Sequence, residues 1–336
     1  LFANMVRRRL TTKGLLLDGG CMARLIGMVM AALLAFSIPV ARAETAAKNI
    51  LMVLWRIETD YDTAFKERLA QLGVKAQYQI IFGKESRDYL SEVMRDREGD
   101  FAQGRFDLVY TWGSTVSSIV DHVNRGRVPQ VFNVVYDPKE VGLVAEPGQA
   151  QRPVTGITNG VPAATQFDAF AKVAALPKIC MIFNPRERNA NVALEQVIDW
   201  TSKHKVPLQD FRVAPGTDAL PVLLDKIEAG EIHCPVIYAG ADSYMGSQAK
   251  MLAERLGEKF LLLGGTERFV LNGWAMAYAP NVQSMGYAAA ELAAKIFRGQ
   301  SAADLAVVLP QPKLIVSQAA VSRHGLKLPS GTELRN

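Results

Sequence analysis

Five polar clusters in this chain stand directly after short apolar runs: Trp112-Gly113-Ser114-Thr115, Tyr136-Asp137-Pro138, Asn184-Pro185, Ala241-Asp242-Ser243 and Thr266-Glu267. In open α/β sheets such positions are the carboxyl ends of strands, where loops and helix N-termini converge on a ligand. The hydroxyls of Ser114 and Thr115 and the free N–H groups of a helix start suit a carboxylate, because orphan donors and helix dipole both favour an anion. Asp242 or Glu267 offers the opposite charge to an ammonium group. Together these residues predict a site for a zwitterion such as an amino acid. The competing reading is that Ser114, Asp137 and Asp242 only cap helices or shape turns. Trp55, Trp112, Tyr136 and Tyr244 also fall at or just beyond strand ends, as flat walls for a ligand side chain or as rim packing.

Motifs for covalent chemistry are missing. The sequence contains no Gly-rich phosphate loop, for which Gly264-Gly265 alone is too short, and no Gly-x-Ser-x-Gly elbow. His122, His204, His233 and His324 are scattered, without the spacing of a zinc helix. No catalytic residue, metal or cofactor is expected, and a binding protein is favoured over an enzyme built on Asp137, Asp242 or Glu267.

The elements that must position the polar clusters follow from hydrophobic patterning. Apolar runs at 48–55, 75–82, 106–112 and 128–136 alternate with helical stretches at 64–72, 89–97 and 116–123. The alternation restarts after 154–157, with helices at 164–175, 192–204, 220–229 and 247–256 and strands at 178–183, 211–213, 236–239 and 260–263. This predicts an α/β chain of two Rossmann-like lobes with parallel sheets. A last helix at 287–298 and an extended run at 313–316 return to the lobes, which makes a hinge. Lobe 1 is expected from 48–158 plus about 283–312, lobe 2 from 159–282 plus about 313–328, and 329–336 as a flexible tail.

A length of 336 residues suits two domains. The net charge of +5 would suggest a polyanion partner, but residues 1–43 hold six basic side chains and one acid. The remainder carries 32 basic and 32 acidic groups, so no nucleic-acid partner is expected. Residues 22–43 (MARLIGMVMAALLAFSIPVARA) show a basic start, an apolar run ending at Pro39, and Ala41-Arg42-Ala43. These are the parts of a cleavable signal peptide, preceded by an upstream extension, and they predict a periplasmic protein. Of the remaining cysteines, Cys180 and Cys234 lie near strand starts in the same half; in an oxidising compartment they could pair, and the alternative, two buried free thiols, is the one favoured here because neighbouring strands seldom meet disulfide geometry.

The segments VFNVVYDPKEVGLV (131–144), PVTGIT (153–158), ICMIFNPRERNANVALEQV (179–197), PVIYAGADS (235–243) and AAELAAKIFRGQSAADLAVVLPQPKLIVS (289–317) resemble the ABC-transporter substrate-binding family typified by tryptophan and aromatic amino-acid binders. The resemblance implies a type I periplasmic binding fold, with ligand between two lobes joined by three crossovers. It implies that Gly113-Ser114-Thr115 holds a ligand carboxylate, that Asp137-Pro138 matches the family's Asp-Pro, and that Asp242 pairs with a ligand amino group. A monomer handing a small-molecule ligand to an ABC permease is then expected, the alternative being a sensory module reporting to a membrane receptor. The chain departs from the family's pattern at Trp112-Gly113-Ser114-Thr115, at Gly240-Ala241 before Asp242, at 266–272, and at Arg186 and Arg188 around Glu187. These two arginines suit a more acidic solute, or are solvated surface side chains.

Overall fold

The structure is a computed structural model and describes residues 46–55, 57–144 and 152–336. The segment 22–43, expected to be a signal peptide, lies outside the described residues. The first part runs β1 (Lys48–Leu54), α1 (Asp60–Gln71), β2 (Ala76–Phe82), α2 (Arg87–Asp96), α3 (Glu98–Ala102), β3 (Leu108–Trp112), α4 (Ser114–Asn124), β4 (Gln130–Val135) and β5 (Val154–Thr158). Its strands make one five-stranded sheet, ordered β2-β1-β3-β4-β5, with every neighbouring pair parallel. A strand covered on both faces reads as a continuous apolar run, and residues 50–54 of β1 are all buried. Ile50, Met52 and Leu54 pack on one side with Phe65 and Leu69 of α1. Leu51 and Val53 pack on the other with Leu90, Met94 and Val120 of α2 and α4.

The second part runs α5 (Ala163–Phe170), β6 (Ile179–Phe183), α6 (Arg188–His204), β7 (Leu208–Arg212), α7 (Ala219–Glu228), β8 (Val236–Ala239), α8 (Ser243–Leu256), β9 (Leu261–Gly264), α9 (Glu267–Leu271) and β10 (Met276–Ala279). Then come α10 (Val282–Phe297), a 3-10 turn at Ala302–Asp304, β11 (Lys313–Ser317), α11 (Gln318–His324) and β12 (Glu333–Arg335). The second sheet is seven-stranded, ordered β12-β11-β10-β9-β8-β6-β7. Only the β10–β11 pair is antiparallel, because β11 re-enters this sheet from the other lobe. Residues 266–272, where the chain departs from the family's pattern, contain the short helix α9.

The chain passes between the sheets three times. It leaves the first after β5, returns with α10, which packs on α1, β4 and β5, and leaves again before β11. Val308 on the last passage bridges Ile157, and Thr155 donates to the Leu305 carbonyl at 2.9 Å.

Three features correct the expectations. Cys180 and Cys234 form a disulfide, with their Cα atoms 5.6 Å apart. The in-register partner of Cys180 is Ile237, and Cys234 lies before β8 begins, so it escapes the strand geometry that would have held the thiols apart. The tail expected to be flexible ends in β12, paired parallel to β11. It is held by charge as well: Arg335 donates to Glu267 from Nε at 2.8 Å and Nη2 at 2.6 Å. Finally, β4 is not regular. Phe132 pairs with Gly156 but Val135 with Thr158, which leaves one extra residue in β4. Val134 absorbs it with φ +57°, a left-handed conformation rare for a β-branched residue.

Candidate functional site

The carboxyl ends of the two sheets face one another. Arg188, at the start of α6, ion-pairs with Glu140, which follows β4. Tyr61, at the start of α1, lies close enough to α9 that Glu267 raises and Arg268 lowers its hydroxyl pKa, although burial is the larger cause of its upward shift. Gly160, just past β5, sits so close to the Tyr136 carbonyl that a Cβ there would stand 2.2 Å from it.

The first-lobe wall is built from three loops. Trp112 ends β3 half-buried, with its ring edge-on to Tyr61 at 6.3 Å between centroids. Its Nε1–H is buried and has no hydrogen-bond partner among the described residues. Gly113 follows with φ +87°, which a residue with a side chain rarely adopts, and this turn starts α4. No side chain caps that helix, so the first-turn N–H groups at Ser114 and Thr115 keep the positive end of the dipole without a protein anion. Tyr136 is partly buried. Burial pushes its hydroxyl up to about 12, with smaller contributions from Asp137 and Glu140.

The second-lobe wall is acidic. Asp242 is 3% exposed and caps α8, accepting from Met245 N–H at 2.8 Å and from Asn184 N–H at 2.6 Å. Glu187, which is less buried, accepts from Ser243 N–H at 2.9 Å, Tyr244 N–H at 3.1 Å and Asn184 Nδ2 at 3.2 Å. Two carboxylates therefore share one helix start. Burial, with the Glu187 carboxylate next in size, pushes Asp242 up to about 7.

The twelve residues singled out from the sequence separate accordingly. Trp112, Gly113, Ser114, Thr115 and Tyr136 come together on the first wall, and Asn184, Asp242 and Ser243 on the second. Trp55 leans on the core between β1 and α2 instead, away from the core face that Trp112 packs against. Asp137 is an exposed turn residue, its Oδ1 accepting from Lys139 N–H and Glu140 N–H. Thr266 precedes α9 without a side-chain cap bond. Glu267, expected to meet an ammonium, is 2% exposed and engaged by Arg335 and by Val282 N–H at 2.5 Å. That pairing makes Glu267 a structural clamp between α9, α10 and β12. Sequence reasoning also missed Tyr61 and Glu187. Glu187 was legible in the Asn-Pro-x-Glu spacing that sets a carboxylate one turn from Asn184.

Arg188 is committed to Glu140, and Arg186 donates to the Pro215 carbonyl at 3.4 Å on the surface. Among the described residues no group of His, Cys, Asp and Glu is arranged to hold a metal, and no helix is long and apolar enough to cross a membrane. Two open grooves of about 510 and 580 Å³ lie near Trp200 and His324. The larger is lined by Pro177, Pro235, Val236 and Leu261 at the amino ends of the second sheet, the wrong edge for the polar loops.

A family model described as ABC transporter substrate binding protein matches residues 59–332. The chain belongs to that family. ABC transporter substrate-binding proteins are binding proteins rather than enzymes, as the missing catalytic motifs led us to expect. The chain is 22% identical over 224 residues to a tyrosine-binding protein of Clostridioides difficile (strain R20291), an alignment covering 65% of this chain and 63% of that protein. The match thus spans less than two thirds of the relative's length. Among solved structures, the ABC domain from Streptococcus pneumoniae in complex with L-Trp superposes with a TM-score of 0.71 at 15% identity, covering 86% of this chain and 100% of that one. The ligand-free, open structure of a substrate binding protein with adhesive properties from Clostridium difficile gives 0.66 at 17% identity, covering 86% and 99%. A conserved domain protein of Vibrio cholerae gives 0.71 at 18%, covering 86% and 100%. At these identities the structural likeness establishes the fold, two α/β lobes of the type I periplasmic binding kind.

Proposed function

We propose that this substrate-binding protein works outside the cytoplasmic membrane as a monomer, traps an α-amino acid between its lobes, and presents it to the permease of an importer. The observation that carries the reading is the opposition of charge across the cleft. Uncapped N–H groups at Ser114 and Thr115 suit a carboxylate, and Glu187 with Asp242 on the facing lobe suits an ammonium group. Tyr61, Trp112 and Tyr136 supply aromatic walls, which favours an aromatic side chain, and the indole N–H of Trp112 remains as a donor for a ligand acceptor. The relatives named for tyrosine binding and solved with L-Trp support the same class. A buried disulfide supports an oxidising compartment, since cytosolic thiols are kept reduced. Because the two half-sites ride on separate sheets, a ligand touching both favours the closed form.

Isothermal titration calorimetry with L-tyrosine and L-tryptophan tests this, alongside 3-phenylpropionate, which lacks the ammonium group, and tyramine, which lacks the carboxylate. Both amino acids are expected to bind, and each half-analogue to bind weaker by roughly tenfold or more, since each leaves charged groups of the site unpaired. No binding by these or any other amino acid overturns the proposal.

A further inference from the structure

Asn133 is fully buried near the end of β4, and it is bonded in three directions. Its carbonyl accepts from Gly113 N–H at 2.9 Å, which holds the turn ahead of Ser114 and Thr115. Its Oδ1 accepts from Val134 N–H at 2.9 Å. Its Nδ2 donates to the Tyr110 hydroxyl at 3.1 Å, and that hydroxyl donates to Asp62 Oδ1 at 2.8 Å. Asp62 in turn accepts from Thr59 N–H at 2.8 Å and Thr59 Oγ1 at 2.7 Å, which closes the capping box that starts α1 beside Tyr61.

The bond to Val134 matters most. A valine with φ +57° is disfavoured, and such a conformation persists only where its surroundings hold it. Here it reverses the strand's alternation. Val131 and Val134 pack toward the α1 side, whereas Phe132 and Val135 share the small cluster with Leu143 and Val154 on the other. Without the extra residue, every side chain after it would change face. Tyr136 is the first residue beyond the strand, and its carbonyl accepts from Thr158 Oγ1 at 2.8 Å, at the point where the chain leaves the first lobe.

We infer that Asn133 is a positioning residue for the ligand site: it fixes the bulge that sets Tyr136 and ties that loop to the Trp112-Gly113 turn and the Thr59–Tyr61 loop. The first-lobe half-site is thereby a single preformed unit. The affinity arm of this inference rests on the amino-acid reading above, whereas the exchange arm does not.

The test is amide hydrogen exchange of the ligand-free protein, with L-tryptophan and L-tyrosine affinities measured in parallel. Asn133→Ala removes the side-chain bonds to Tyr110 and Val134. It is expected to speed exchange together in residues 57–63 and 134–138, and in 112–116 as the released bulge lets the Asn133 main-chain carbonyl shift away from Gly113, with residues 48–54 unchanged, and to weaken affinity by about tenfold. Adding Val134→Gly should restore much of the affinity, since glycine takes the left-handed conformation without a clamp. A merely structural role would not give that rescue. Tyr110→Phe keeps the bond to Val134 and should loosen only 57–63, so it serves also if Asn133→Ala fails to fold. Faster exchange confined to 133–135, or affinity that Val134→Gly does not restore, overturns the inference. If the wild-type chain binds neither these nor any other amino acid, the functional reading fails and the exchange pattern alone decides the positioning role.

Discussion

Arg188 of the second lobe ion-pairs with Glu140 of the first, directly across the opening between the sheets. The arginine is largely exposed and the glutamate mostly covered, at 78% and 17% side-chain accessibility. An exposed pair of this kind contributes little to folding, but under the proposed closure of the lobes on ligand it would favour the closed form. Arg188→Ala should weaken L-tryptophan binding by a factor of about two to five, and high salt should weaken the wild type similarly while leaving the variant unchanged. Calorimetric titration at two salt concentrations reads this; equal salt dependence in both proteins would remove the pair from closure.

The Asp242 carboxyl gives a pH signature. Its value rises from 3.8 in a free side chain to about 7 here, from burial first and Glu187 second. The folded chain thus keeps a proton that the unfolded chain releases across that interval. Its stabilising contribution is complete below about pH 4 and is lost as pH rises through about 7. Asp62 and Asp121, also raised by burial, act in the same direction. Comparing melting temperature against pH for the wild type and Asp242→Asn isolates the residue, and the variant's fall between about pH 4 and 7 should be shallower. Parallel curves would show that Asp242 stays ionised.

Arg335 holds Glu267, a carboxylate that burial would otherwise leave uncompensated. Arg335→Ala is expected to cost up to about 3 kcal/mol, less than a fully buried pair because the arginine is partly exposed. Glu267→Gln with Arg335→Ala should recover part of it. Urea unfolding of the single and double variants checks this, and full additivity would deny the coupling.

Reducing the Cys180–Cys234 bond frees a segment spanning 54 positions. Chain entropy puts the loss near 4 kcal/mol, a fall in melting temperature on the order of 10 °C. Scanning calorimetry of Cys180→Ser with Cys234→Ser measures it; an unchanged melting temperature would place the constraint in an already compact unfolded state.

Much of this architecture was legible because burial on both faces leaves a mark in the sequence. Residues 50–54 of β1 and all of β6 are apolar without interruption, and the polar clusters after them mark the sheet ends to which the proposed site is assigned. What escaped were relations with no period. Glu267 and Arg335 lie 68 positions apart, and only the return of β12 to the sheet joins them. The Val134 bulge is invisible because two valines after Asn133 read as regular strand. Glu187 was overshadowed by the arginines on either side, although its own contacts lie 56 and 57 positions ahead, at Ser243 and Tyr244. β10 reads MAYA, two alanines and no Val, Ile or Leu, so it lacks the run of branched apolar side chains that marks β8 and β9.

The three passages between the sheets also decide how the molecule can be made. The first sheet closes by Thr158, yet the core beneath it lacks Met285, Ala289 and Ala293 until α10 has been added. The second sheet has most of its strands by Ala279, yet waits for β11 and β12 from beyond that helix. No single cut yields either lobe intact. Expressing one lobe alone means splicing distant segments, and a ribosome must synthesise nearly the whole chain before either half can finish folding.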